Sequence, residues 1–592
     1  MAPNTLNPDE RLTLLRQELA RRSLDGFLVP RADEHLGEYV PANAERLAWV
    51  SGFTGSAGLA VVLAERAVLF TDGRYVLQAA AQTNPALWER RHLIEEPPQT
   101  WLAANAKEAR IGYDPWLFAE ETLARYTEAG VTLVAVDANP VDAVWRNRPG
   151  APLAPVAEHP LSFAGKTVTA KREEAAAKLR EVGEDAAVIS DPASVAWLLN
   201  IRGHDVPYTP FGLGFALLHA DAGVELFMAR QKVPAEVAAT WGNAVSLAER
   251  EALPKALATL AGKRVRVDAA ATPAWFAATL RAAGATVKPG MDPCILLKAC
   301  KNEVEREGAR IAHRRDAVAV CRFLRWLETA AGNETEMSAA AKLLALRAEG
   351  EGFRGESFAA IAGAGEHGAV IHYRVTEESD RAIKPDETFL IDSGAQYPEG
   401  TTDITRTVWT GPGAPPVDIA ETYTRVLKGH LALSMLAFPQ GVAGPHLDAV
   451  ARATLWSAGQ DFDHGTGHGV GSYLSVHEGP VSISRAAKSV PIAEGMILSN
   501  EPGFYAPGSY GIRIENLLLV TKADFPLATK PFLAFETITL APYDRSLIVS
   551  GMLTRAECRW IDAYHARVLA EVGPSLAPDD RAWLAARCAP LV

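Results

Sequence analysis

Four carboxylates and one imidazole stand where charge is hardest to bury in this chain. Asp392, Asp403, His468, Glu501 and Glu515 lie in the segments FLIDSG, TTDITRT, HGTGHGVG, LSNEPG and GIRIENLLLV, which are otherwise mostly apolar or glycine-rich. Brought together, the four carboxylates would repel one another unless a cation sat among their oxygens. The donor set is rich in oxygen, poor in nitrogen and has no thiolate. That chemistry suits hard or borderline divalent ions, and enough carboxylates are present to bridge two of them. A chain that folds these segments onto one another is a candidate two-metal hydrolase.

The spacing says how they could meet. Between Asp392 and Asp403 runs SGAQYPEGTT, with a Pro-Glu-Gly turn signal at 398–400. A hairpin with its midpoint near Tyr397 and Pro398 would set the two carboxylates almost opposite each other. In Gly511-Ile512-Arg513-Ile514-Glu515, alternation puts Ile512 and Ile514 on one face and Arg513 and Glu515 on the other. Arg513 can then orient a ligating carboxylate; a plain ion pair along the strand is the simpler alternative. His464 and His468 have helical i, i+4 spacing, but Gly465, Gly467, Gly469 and Gly471 argue against a helix and for close backbone approach. His477 comes next, in SVHEGP. His372, in AVIHYRV, reads as a strand residue with a structural role. Gly363–Gly368 fits a GxGxxG pattern, but the adjoining AVIHYRV is strand-like, so no helix N-terminus is there for a pyrophosphate.

With 592 residues the chain is too long for one core and calls for three or four domains. Its 59 basic and 71 acidic residues give −12, which disfavours nucleic acid and anionic membranes as partners through bulk charge. The polar start, with Asn7-Pro8-Asp9-Glu10 as a helix signal, has no apolar core of a secretory signal, and no run reaches the length of a membrane span. Cys294, Cys300, Cys321, Cys558 and Cys588 form no CxxC pair and read as reduced thiols of a cytoplasmic protein.

A faint duplication runs through the first half. Trp49 and Trp197 correspond, as do Gly58 and Gly214 and, at the same offset as the glycines, Arg74 and Arg230. Two related α/β domains are expected, 1–150 and 151–301, joined by the proline- and alanine-rich linker 146–160. A third domain, 302–592, opens with a long amphipathic helix that includes Val304, Ile311, Val318 and Phe323 among its apolar positions. A helical extension from about 551 closes it. There Trp560, Tyr564 and Trp583 are expected to pack on the preceding domain or on a subunit interface.

IDSGAQYPEGTTDITRT, HGTGHGVGSYLSVHEGP, NEPGFY and GIRIEN closely resemble the motifs of aminopeptidase P (Xaa-Pro aminopeptidase), a pita-bread metallopeptidase. FTDGRYVLQAA and KNEVE…RDAVAV resemble the long form of that family, so the likeness covers essentially the whole chain. The resemblance implies an α/β (α+β) protein: a pita-bread catalytic domain of the creatinase and methionine aminopeptidase type, preceded by two creatinase-type α/β domains. It implies that Asp392 binds one metal, Asp403 and Glu515 bridge, and His468 and Glu501 hold the other. Glu501 would also be the general base. His372, His464 and His477 match substrate and transition-state histidines, Arg74 matches a substrate-binding arginine, and Arg513 is counted with Arg74, His372 and His477 among the substrate-binding residues. The family implies two divalent ions, manganese ahead of zinc or cobalt, a cytoplasmic homodimer, and release of an N-terminal residue preceding proline. The rivals are a prolidase-type Xaa-Pro dipeptidase, which lacks the middle domain, and a non-catalytic pita-bread binding protein, which commonly loses ligands. Creatinase shares the fold without this metal set.

Overall fold

The computed structural model describes residues 6–591, the Leu77 side chain excepted. The chain sorts into two compact units. One takes in the chain up to Glu158 with Thr167–Pro207 and Phe211–Cys294; the other takes His159–Lys166, Tyr208–Pro210 and the chain from Ile295 onward. Residues 1–5 of the polar start and Val592 of the helical extension lie outside the described residues.

The first unit begins with helix Pro8–Arg21. Asn7 and Glu10 form a reciprocal capping box with both bonds at 2.9 Å, and Leu12, Leu15 and Leu19 form its buried stripe. Two six-stranded sheets come after it. The first has the order Trp88–His92, Ala67–Thr71, Leu59–Leu63, Gly26–Pro30, Arg110–Tyr113, Thr132–Ala135. The second repeats it as Val245–Ala248, Val224–Phe227, Phe215–His219, Ala186–Ile189, Arg264–Val267, Thr286–Pro289. In both, the middle pairs are antiparallel and the flanking pairs parallel. Gly58 and Gly214 immediately precede equivalent strands, and Trp49 and Trp197 lie on the short helices before them. The weak repeat in the sequence is therefore a repeat of topology. Residues 148–156 form no helix or strand, as a linker should.

The second unit opens with helix Glu303–Ala330, capped by Asn302 and Glu305. Its buried face differs from the expected one. Of the four apolar positions, Phe323 is buried, Ile311 and Val318 are partly buried, and Val304 is exposed. The buried stripe runs instead through Gly308, Ala309, Ala312, His313, Asp316, Ala317 and Val320. Small residues are needed because the helix lies directly on a hairpin: a Cβ on Gly308 would fall 2.6 Å from the Glu399 carbonyl oxygen, and one on Gly400 would meet Ala309. The same hairpin tip is tied to the helix by Tyr397, whose hydroxyl donates to Asp316. Arg347 grips that carboxylate through two bonds at 2.8 and 3.0 Å.

That hairpin is the one expected between Asp392 and Asp403, with one correction. Strand Thr388–Ser393 pairs with Ile404–Trp409, and the register continues through Tyr397↔Gly400, so the turn is centred on Pro398 and Glu399. Asp392 faces Thr405 rather than Asp403. The two aspartates are diagonal neighbours on one face, because strand side chains repeat every second residue. AVIHYRV, expected as a strand, is a turn after the five-residue 3-10 helix Gly365–Ala369. Gly368 packs on Gly511, whose Cβ would otherwise lie 1.7 Å from its carbonyl oxygen. The extension folds as helices Arg555–Val572 and Pro578–Arg587, with Tyr564 in the core and Trp560 and Trp583 against it.

Gly308→Val tests the close helix–hairpin contact. Its side chain meets backbone, which cannot swing away, so unfolding stability is expected to fall by about 1–3 kcal/mol. Thermal unfolding should show the second unit melting earlier; an unchanged midpoint would refute the contact.

Candidate metal centre

The buried floor of the site comes from strand ends and the junctions between strands. Asp392 is near the end of Thr388–Ser393, Asp403 immediately precedes Ile404–Trp409, and Glu515 sits between Tyr510–Arg513 and Asn516–Ala523. Their exposures are 8%, 3% and 1%. His468, on the two-residue strand Gly467–His468, and Glu501, just after Ile497–Asn500, are partly exposed and form the open side.

Asp403, His468 and Glu515 each offer one ligand atom, all within 4.8 Å of one another. The Nε2 atom of His468 lies 3.5 Å from Asp403 Oδ2 and 3.5 Å from Glu501 Oε1. Its other nitrogen, Nδ1, is 3.0 Å from the Gly469 carbonyl and donates there, which leaves Nε2 aimed at the carboxylates. The backbone N–H of His468 donates to Ser499 Oγ at 2.9 Å, and that hydroxyl lies 3.2 Å from Glu501 Oε1. Thr405 donates to Glu515 Oε2 at 2.7 Å. Glycines permit these approaches: a Cβ on Gly467 would lie 1.9 Å from the Ser499 carbonyl oxygen, and one on Gly469 2.2 Å from that of Glu478.

Asp392 stands apart from the tight triad and has its own cation. Arg513 Nη2 donates to its Oδ2 at 2.7 Å. Strand alternation put Arg513 on the Glu515 face as expected, but the carboxylate it holds is that of Asp392. Arg513 also donates to the Tyr505 hydroxyl at 2.7 Å, which in turn is 2.8 Å from His464 Nε2. With His464 Nδ1 donating to the Gly465 carbonyl at 2.8 Å, the Tyr505 proton goes to Nε2. His464 thus reaches the cluster through Tyr505 and Arg513. Nothing in the sequence singled out Tyr505 beyond its place in NEPGFY.

His477 is exposed, with its ring 4.4 Å from that of His468 and nearly perpendicular to it. The adjoining Glu478 is buried, and its carboxylate lies 2.5 Å from Lys301 Nζ and 3.5 Å from Lys298 Nζ. Two buried lysines on one acid could not be read from their positions, far upstream in the chain. His372 is half-buried on its turn. Arg74 belongs to the first unit, where it makes a two-bond pair with Asp72 at 2.9 and 2.7 Å.

The electrostatics call for a cation. Burial pushes Asp392 up to about 6, with Arg513 opposing and Asp403 and Glu501 adding to the rise. Burial also raises Glu501, against the pull of His468 and Arg513. Glu515 is raised well above the usual carboxylate range by burial and then by Asp403, Glu501 and Asp392. Burial lowers His468, but the Asp403 and Glu501 carboxylates overcome it and raise the imidazole to about 9. One oxygen each of Asp392 and Asp403 is buried without a hydrogen-bond partner. Two orphaned acceptors, a preset Nε2 and carboxylates that hold protons too tightly are the donor set of a divalent metal site. Among the described residues, Asp403, His468 and Glu515 form the one compact group of this kind.

The second unit's fold and this buried carboxylate cluster define a pita-bread metallohydrolase. The profile of Metallopeptidase family M24 matches residues 307–522, and that of the C-terminal region of the same peptidases matches 531–591. Profiles of the Creatinase/Prolidase N-terminal domain match 11–146 and 147–305. Aminopeptidase P1 of Arabidopsis thaliana is 39% identical over 97% of this chain and 98% of its own length. A Probable Xaa-Pro aminopeptidase P of Neosartorya fischeri is 38% identical over 99% of this chain and 93% of its own. The crystal structure of an X-prolyl aminopeptidase from Caenorhabditis elegans, described as a cytosolic enzyme with a di-nuclear active site, superposes with TM-score 0.93 at 33% identity, covering 99% of this chain and 100% of that one. The chain belongs to the aminopeptidase P family of M24 metallopeptidases.

The raised carboxylates set a pH prediction. A carboxyl group whose folded pKa lies above its unfolded value favours the protonated folded state, so the metal-free protein loses that stability as pH rises through about 6. A metal ion takes the place of those protons. The rise in melting temperature on adding divalent metal is therefore expected to be small near pH 5 and to grow through pH 6 to 7.5 in calorimetric scans. A metal-induced shift that shrinks with rising pH would contradict the cluster.

Proposed function

We propose that the chain is an Xaa-Pro aminopeptidase that removes the N-terminal residue from peptides with proline in second position. The observation that carries this reading is the convergence of Asp403, His468 and Glu515 within 4.8 Å, with Asp392 and Glu501 alongside, on a chain alike over its whole length to an X-prolyl aminopeptidase. The dipeptidase PepE of Mycobacterium ulcerans shares the fold at TM-score 0.50 and 24% identity but covers 64% of this chain. The domain division at about 150 and 302 follows the same plan, supported by the spans of the four profiles.

Asp392, Asp403, His468, Glu501 and Glu515 would hold two divalent cations, which when bound supply Lewis acidity that makes water nucleophilic near neutral pH. We read them as manganese, with zinc or cobalt suited to the same donors. Glu501, on the open side, takes the proton of the attacking water and passes it to the imide nitrogen that leaves. Asp392, steadied by Arg513, receives the free α-amine of the substrate. That contact limits cleavage to the first bond. His477 is exposed beside His468, where it can donate to the oxyanion that develops on the scissile carbonyl. His372 holds the peptide, and Arg74 is read as a substrate-binding residue. His464 steadies Arg513 through Tyr505. An Xaa-Pro bond has no amide hydrogen and a restricted preceding residue, so peptidases that need that N–H or an extended strand fail on it. A homodimer in the cytoplasm completes the reading; the description of the nematode relative as cytosolic supports the location.

Incubation with a tripeptide Xaa-Pro-Xaa should release the first residue; cleavage confined to dipeptides Xaa-Pro would make the chain a prolidase. Glu501→Gln is expected to lower kcat by roughly 100- to 10,000-fold, the range of a lost general base. Elemental analysis must accompany that assay, since the same residue would hold metal. Metal analysis of protein purified without added ions, followed by reconstitution, identifies the cation.

A further inference from the structure

Arg406 is a buried cation with no acid to pair with. It lies in TTDITRT, three residues after Asp403, and is 1% exposed. Among the described residues no carboxylate is within ion-pairing distance of it. Its guanidinium is spent on neutral acceptors instead. Nη1 donates to the carbonyls of Thr405 at 2.9 Å and Glu515 at 2.7 Å. Nη2 donates to Asn516 Oδ1 at 2.9 Å, the Ala541 carbonyl at 2.8 Å and the Tyr564 hydroxyl at 3.2 Å. Nε donates to the Pro542 carbonyl at 3.1 Å.

Burying a lone guanidinium is costly, and an apolar side chain would fill the space at lower cost. What the arginine does that no apolar residue can is join two groups of acceptors. One group is the backbone that aims Glu515: the Glu515 N–H donates to the Thr405 carbonyl at 3.1 Å, and the Thr405 hydroxyl donates to the Glu515 carboxylate. The other is the C-terminal part of the chain, where Tyr564 on helix Arg555–Val572 also donates to the carbonyls of Thr539 and Ala541. The network continues without charge. Asn516 donates to the Tyr543 hydroxyl at 2.8 Å, and His430, lowered by burial to about 3 and hence neutral, accepts beside it.

We propose that Arg406 is a positioning residue for the metal centre: its fork fixes Thr405 and Glu515 to Ala541, Pro542 and Tyr564, so the C-terminal extension sets ligand geometry from behind the site. The inference rests on the reading of Glu515 as a ligand. It gives the extension a part in metal binding that its distance in sequence does not suggest.

The test titrates metal-free full-length protein with Mn2+ by calorimetry, alongside kcat and KM on an Xaa-Pro-Xaa peptide. Arg406→Met and Arg406→Lys should each weaken Mn2+ binding by roughly 10-fold and lower kcat more than they change KM, as loss of a partner behind a ligand does. Lysine keeps the charge but cannot span both groups, so wild-type affinity in Arg406→Lys, or in Arg406→Met, would overturn the proposal. Circular dichroism checks folding. Should both variants unfold, Tyr564→Phe, which removes one acceptor, decides: weaker Mn2+ binding is expected, and unchanged binding overturns the idea. Failure of the wild-type protein itself to bind Mn2+ or cleave the peptide would count against the proposed function instead.

Discussion

The arrangement depends on one electrostatic demand: Asp392, Asp403 and Glu515 are almost wholly removed from water on the same side of the second unit. Carboxylates this close cannot all stay ionised in a poorly polarisable setting without positive charge between or beside them. The protein supplies part of that charge from Arg513, which opposes the rise that burial and the neighbouring carboxylates impose on Asp392. The remainder has to come from outside the chain. The folded polypeptide is thus incomplete by itself, and its strands are arranged around that incompleteness.

Much of this is legible in the sequence because charge in an apolar run is conspicuous. FLID and RIENLLLV announce buried acids whatever the fold, and two-residue alternation is enough to pair Arg513 with the correct face. The offset of Asp392 from Asp403 escapes such a reading because a turn signal locates a hairpin only to within a residue, and one residue of slip changes which side chains oppose. The long helix departs from its apolar pattern for a different reason. Its inward face is chosen by how closely the hairpin backbone approaches at Gly308, so small residues lie inside while Val304 stays outside. Tyr505, Lys298 and Lys301 are illegible because their roles exist only through partners distant in sequence.

The two sides of the centre are built by different means. The floor relies on strand ends and strand junctions, where Arg513 holds the Asp392 carboxylate and Thr405 holds that of Glu515. The rim relies on rings steadied by neighbouring groups: His468 by the Gly469 carbonyl and His464 by the Tyr505 hydroxyl.

The scatter of the ligands along the chain bears on how the protein is made. Asp392 leaves the ribosome well before Glu515, and Arg406 waits still longer for Ala541 and Tyr564. A nascent chain halted between them has its first acids exposed and nothing to organise them. A metal centre drawing on these residues would be complete only once the chain through Tyr564 has been made.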